Sequence, residues 1–117
     1  MQNKSFSSVK VFYPPFNREE LLALLRQRIP ALQGKLSLKR VVLFGSYAKG
    51  RQTVASDIDL LVIYAGRPRT DAYALVKQAL NIRRLEPHVY AEEEYEQARM
   101  MVERMIHDGI LIASGER

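Results

Sequence analysis

Apolar and polar positions along this chain follow two different periods, and each change of period marks a new element. From Asn17 the spacing is helical: Leu21, Leu24, Leu25 and Ile29 recur every three or four residues, and Leu22 widens the stripe. Asn17 followed three residues later by Glu20 has the form of a capping box. Pro30 is expected to help end this helix, leaving Ala31 to Ser37 as a connection with Gly34 as breaker. Leu38 to Phe44 reads as a first strand. Its run Val41-Val42-Leu43-Phe44 is apolar without interruption, as in a strand covered on both faces. Gly45-Ser46 turns the chain out of it. Ser46 to Lys49 can start a short helix, and Gly50 to Ala55 is a polar loop. A second strand is expected from Asp57 to Tyr64. Period two sends Ile58, Leu60, Val62 and Tyr64 to one face and Asp57, Asp59, Leu61 and Ile63 to the other.

After a loop at Gly66 to Arg69, Thr70 or Asp71 is expected to cap a helix to about Leu80, with Ala72, Leu75, Val76 and Ala79 inward. A third strand follows over Ile82 to Tyr90. It contains Pro87, which suits an edge strand or a bulge. Ala91 to Met105 reads as one helix with Glu92, Glu93 and Glu94 in its first turn, where the dipole favours negative charge. Its expected buried stripe is Tyr95, Ala98, Met101, Val102, Met105 and Ile106. His107-Asp108-Gly109 reads as its C-cap, and Ile110 to Ala113 as either a last short strand or a terminal docking segment. Helices alternating with strands predict the α/β class, a small sheet flanked by helices. Residues 1–16, where Val9, Val11 and Tyr13 alternate before Pro14-Pro15, read as an N-terminal arm, and residues 17–117 as a single domain.

Composition narrows this only a little. A chain of 117 residues, 47% hydrophobic, can bury one modest core. The absence of cysteine excludes disulfides and thiolate metal sites and fits a cytoplasmic protein. No apolar stretch is long enough to span a membrane, and the first residues lack the apolar run of a secretory signal. The net charge of +5 admits nucleotide phosphates, nucleic acid or an acidic partner. Lysines and arginines are scattered and no aromatic residues interleave with them, which disfavours nucleic acid.

The candidate chemistry lies between the first two strands. Asp57 and Asp59 share a face, and two like charges side by side call for a cation between them. Mg²⁺, a hard cation with a preference for oxygen, fits such a pair. Gly45 lets a phosphate approach the backbone, and Ser46 offers a hydroxyl. A Walker A loop is excluded, since Gly50 is not followed by Lys and Ser or Thr. His88 and His107 stand alone in sequence, with no second ligand at metal spacing.

Gly45-Ser46 followed by Asp57-Ile58-Asp59 between two apolar strands resembles the nucleotidyltransferase superfamily typified by DNA polymerase beta. In this short form it most resembles the minimal nucleotidyltransferases (MNT), antitoxins paired with helical HEPN toxins. The resemblance covers roughly Lys39 to Tyr95. It implies a polymerase beta-like nucleotidyltransferase fold. It assigns nucleotide phosphates to Gly45 and Ser46, and Mg²⁺ to Asp57 and Asp59. A third catalytic and metal-binding carboxylate is expected on the next strand, where Glu86 stands in place of the usual Asp, beside Pro87. Lys49 and Arg51 lie near enough in sequence to neutralise phosphate charge. The implied activity moves a nucleoside monophosphate, AMP from ATP, onto a hydroxyl, with a tyrosine of a HEPN-type partner as the acceptor. The alternative is a binding module that neutralises a partner without catalysis, its site weakened at Glu86 and Pro87. An apolar face on the first or last helix would serve a dimer or a heteromer equally.

Overall fold

The computed structural model describes residues 16–115; the expected arm at residues 1–16 lies outside them except for Phe16. Four strands form one mixed sheet in the order β3-β2-β1-β4. β1 (Leu38–Phe44) runs antiparallel to both β2 (Ile58–Tyr64) and β4 (Ile110–Ser114), while β2 and β3 (Leu85–Ala91) are parallel. The parallel pair requires a crossover, and α2 (Ala72–Leu80) supplies it. β3 lies at an edge, so Pro87, which cannot donate to the ladder, is tolerated there. Ile110 onward is a strand, paired through Leu43↔Ile110 and Val42↔Leu111.

Alternation along β1 and β2 builds two cores. Val41, Leu43, Ile58, Leu60, Val62 and Tyr64 meet α1 (Arg18–Gln33) and α2 through Leu21, Leu25, Leu32, Val76 and Leu80. Val42, Phe44, Leu61 and Ile63 meet Val102 and Ile106 on the opposite face. Among the described residues no helix is long and apolar enough to cross a membrane.

Several local expectations are corrected. α1 does not end near Pro30 but continues to Gln33 with Pro30 inside it. Leu32 explains the extension: it is fully buried, and its packing outweighs the hydrogen bond a proline cannot donate. The start is as expected, with Glu20 N donating to Asn17 Oδ1 at 2.8 Å and Asn17 N to Glu20 Oε1 at 3.0 Å. Asp71 precedes α2, yet its carboxylate caps nothing, because the Arg69 guanidinium holds it through Nε at 3.0 Å and Nη2 at 2.9 Å. β3 begins at Leu85 rather than Ile82, after a turn with left-handed Asn81 (φ 48°) and Arg84 (φ 66°).

The last helix is two: α3 (Glu92–Gln97) and α4 (Arg99–Met105), broken at Ala98. Ala98 N splits its bond between the carbonyls of Glu94 at 3.1 Å and Tyr95 at 3.0 Å, a local tightening that redirects the axis. Val102 and Ile106 reach the sheet, whereas Met101 is 52% exposed instead of buried. The bend is held by Glu103, which accepts from Arg40 Nη1 at 2.6 Å, Arg40 Nη2 at 3.2 Å and the Tyr95 hydroxyl at 2.6 Å. The left-handed residue after α4 is Asp108 (φ 66°), within the His107-Asp108-Gly109 segment expected to cap the helix.

Candidate functional site: an acidic pair at the head of the sheet

Strand register gathers the site. In the β1–β2 ladder Phe44 is opposite Asp59, and in the β2–β3 ladder Asp59 is opposite Glu86. The exit of β1, the start of β2 and the start of β3 thus lie side by side at one end of the sheet. Gly45 follows Phe44 with φ +78°, a conformation suited to glycine, and a Cβ there would run into the Asp59 carboxylate. The backbone of the Gly-Ser turn therefore passes directly against Asp59. Beyond it the chain forms successive turns rather than the short helix expected from Ser46. Lys49 N donates to Gly45 O at 3.2 Å and Arg51 N to Ser46 O at 2.8 Å. The turns are anchored by Tyr47, fully buried in the larger core, which leaves Lys49 and Arg51 exposed.

The two aspartates differ in surroundings. Asp57, just before β2, is exposed and faces Arg84, with Nη2 3.4 Å from Oδ1. Asp59 is half-buried, with His88 Nε2 3.5 Å from its Oδ1, an ion-pair distance rather than a formed hydrogen bond. Burial raises the pKa of Asp59 above the ordinary carboxylate value. His88 works against this shift, while the charges of Asp57 and Glu86 add to it. His88 also packs against the Phe44 ring in a tilted arrangement, 5.0 Å between centroids.

Glu86 is in register with Asp59 and exposed to solvent. Neighbours in a parallel ladder share a face, so it joins the acidic side of the sheet. Among the described residues, however, no three His, Asp or Glu side chains already stand close enough to form a metal-ligand set. The donor chemistry still fits a hard cation: carboxylate oxygens, with Asp57 and Glu86 both adding negative charge at Asp59.

Two residues enter the site that sequence reading passed over. His88 looked isolated, yet it lies two positions after Glu86 on one strand and so shares its face. That spacing was an available signal. Arg84 had none, because its reach across the β2–β3 end depends on a turn the sequence does not specify.

A family model described as a nucleotidyltransferase domain matches residues 18–112. The chain belongs to the nucleotidyltransferase domain family. Two Methanocaldococcus jannaschii proteins, each named a putative protein adenylyltransferase, are 46% identical over 43 residues and 42% identical over 45 residues. These segments cover 37% and 38% of this chain and 43% and 46% of those proteins, so the chain matches less than half the length of these relatives. A crystal structure of a putative nucleotidyltransferase from Sulfolobus solfataricus matches with a TM-score of 0.57 at 23% identity, over 81% of each chain. A toxin–antitoxin crystal structure with AMP-PNP matches at a TM-score of 0.51 and 24% identity, over 86% of this chain and 76% of that one. The mixed sheet flanked by helices is accordingly the polymerase beta-like nucleotidyltransferase fold.

Proposed function

We propose that this protein is a Mg²⁺-dependent nucleotidyltransferase that moves AMP from ATP onto a hydroxyl of a protein partner. The observation that carries the reading is the close approach of the Gly45 backbone to Asp59, with Glu86 in register on the next strand. A phosphate-gripping turn and a cluster of carboxylates are what nucleotidyl transfer requires at one place. Asp57 and Asp59 would hold the metal, with Glu86 as the third carboxylate, and Gly45 and Ser46 would hold the triphosphate. When bound, Mg²⁺ neutralises triphosphate charge and orients the α-phosphate. The acceptor oxygen bonds to the α-phosphorus as the bond to the bridging oxygen of the β-phosphate breaks. Pyrophosphate departs with that oxygen. The hydroxyl proton would pass to a carboxylate at the site; the proposal gives that part to Glu86, supported by its exposure and its register with Asp59.

The acceptor reading draws on the names of relatives: protein adenylyltransferases among the sequences and toxin–antitoxin complexes among the folds. Together with the resemblance of the sequence to MNT antitoxins, it gives the chain the part of an antitoxin that adenylylates a tyrosine of a HEPN-type helical toxin. Incubation with α-labelled ATP and Mg²⁺, with and without the product of a neighbouring HEPN-like gene, tests both halves. Label on the partner that disappears in Asp57→Asn/Asp59→Asn is the expected result.

A second reading has its own observation. Asp57 already faces Arg84, Asp59 already faces His88, and Glu86 adjoins Pro87. An acidic site so compensated could serve a partner-binding module without catalysis. Partner neutralisation that survives loss of both aspartates, with no label transferred, would establish that module and discard the transferase.

A further inference from the structure

We infer that Arg84 is a positioning residue for the acidic pair, holding the segment that delivers Asp57. The inference rests on the metal-site reading above. Arg84 occupies the left-handed region at φ 66°, where glycine or asparagine is the ordinary occupant and a long side chain is disfavoured. Its guanidinium crosses to the loop before β2. Nη2 donates to Ala55 O at 2.5 Å, and Nε donates to Ser56 O at 3.2 Å. Nη2 also stands 3.4 Å from Asp57 Oδ1. The Arg84 carbonyl accepts the Ile58 N–H at 2.9 Å. One residue thus touches four consecutive positions, Ala55 to Ile58, immediately before Asp59.

The carbonyl contacts do most of the holding. The ion pair to Asp57 is exposed on both sides and screened by solvent. A planar fork can engage two carbonyls at once, whereas a lysine ammonium is a single point on a flexible stem. Asp57 is itself exposed and opens a loop-to-strand junction, so the chain before it needs an anchor for the carboxylate to stay beside Asp59. Arg84 is that anchor, and its left-handed backbone is the conformation that aims the side chain back across the strand ends.

Mn²⁺ titration followed by electron paramagnetic resonance, without nucleotide, tests the role in wild type, Arg84→Gly, Arg84→Lys and Asp57→Asn. Glycine suits the left-handed φ, so the turn survives removal of the guanidinium, and a circular dichroism melt checks that it does. Arg84→Gly is expected to weaken Mn²⁺ binding about 10- to 100-fold, the range seen when a residue supporting a metal ligand is removed, and Arg84→Lys to recover part of that loss. Unchanged or tighter binding in Arg84→Gly, with binding abolished in Asp57→Asn, overturns the positioning role and leaves the metal site standing. No binding by the wild type overturns the metal site and the positioning role together. If Arg84→Gly does not fold, Arg84→Lys decides, because wild-type affinity there shows that the fork is not needed.

Discussion

Beneath α1 and α2 the sheet rests on a broad core in which Leu21, Leu25, Leu32, Leu43 and Leu60 are all fully buried, while on the other face the smaller buried cluster joins Val42, Phe44, Leu61 and Ile63 to Val102 of α4 and to Ile106 just after it. Asp59, opposite Phe44 in the ladder, belongs to the thinner face. Asp59 shares the side of Leu61 and Ile63, yet those two are buried and the Asp59 side chain is 30% exposed. The thin layer therefore covers the middle of β2 and leaves its head open. A carboxylate under the thick layer would be driven neutral by desolvation. At the head of the thin face it keeps access to solvent and to a ligand while the broad core holds the strands in register.

Breaking the thick face should have the largest effect. Leu25→Ala is expected to cost about 2–5 kcal/mol in chemical denaturation, as for a fully buried leucine. A loss under about 1 kcal/mol would mean that α1 is not a main support of the sheet. Gly45→Ala comes next and sharpens the comparison at the open end. The φ of +78° alone costs about 1–2 kcal/mol with a Cβ present. That Cβ also meets the Asp59 carboxylate, so Mn²⁺ binding should fall further than the melting temperature suggests. Equal Mn²⁺ affinity in wild type and variant would separate the Gly-Ser turn from the acidic pair.

On the thin face Ile106→Val should cost only about 0.5–1.5 kcal/mol. A cost matching Leu25→Ala would erase the contrast between faces. The smallest effect is expected at Glu103, which Arg40 and then Tyr95 hold at a pKa of about 2, below its ordinary 4.5. A lowered folded-state pKa contributes stability above the ordinary value and loses it as pH falls toward the folded one. The side chain is 42% exposed, so after solvent screening the contribution is at most about 1 kcal/mol. Denaturation of wild type and Glu103→Gln should differ by that amount at neutral pH and converge between pH 4.5 and about 2. A difference that persists at the acid end would assign the loss to packing instead of charge.

The periodic parts of the chain were legible from sequence. β1 has the expected bounds, β2 begins one residue later than expected, and the faces of Ile58 to Tyr64 divide as period two requires. Pro87 falls on an edge strand, one of the two places expected for a residue without an N–H. The helix ends were less legible. Pro30 and Ala98 each sit where packing of a later residue, Leu32 in one case and Val102 in the other, decides whether the helix continues or bends.

The sequence by itself determined which side chains share a strand face, because alternation is set by covalent geometry within a few residues. It therefore put Asp59 on the face of Leu61 and Ile63, and Gly45-Ser46 at the exit of a buried strand. Only the tertiary structure decided that β4 lines β1, that Glu86 falls in register with Asp59, and that Arg84 and His88 reach the two aspartates. Those contacts join residues about 30 to 70 positions apart. Their geometry depends on how α2 crosses over and how the turn at Arg84 is shaped, and no local pattern of apolar and polar residues records either.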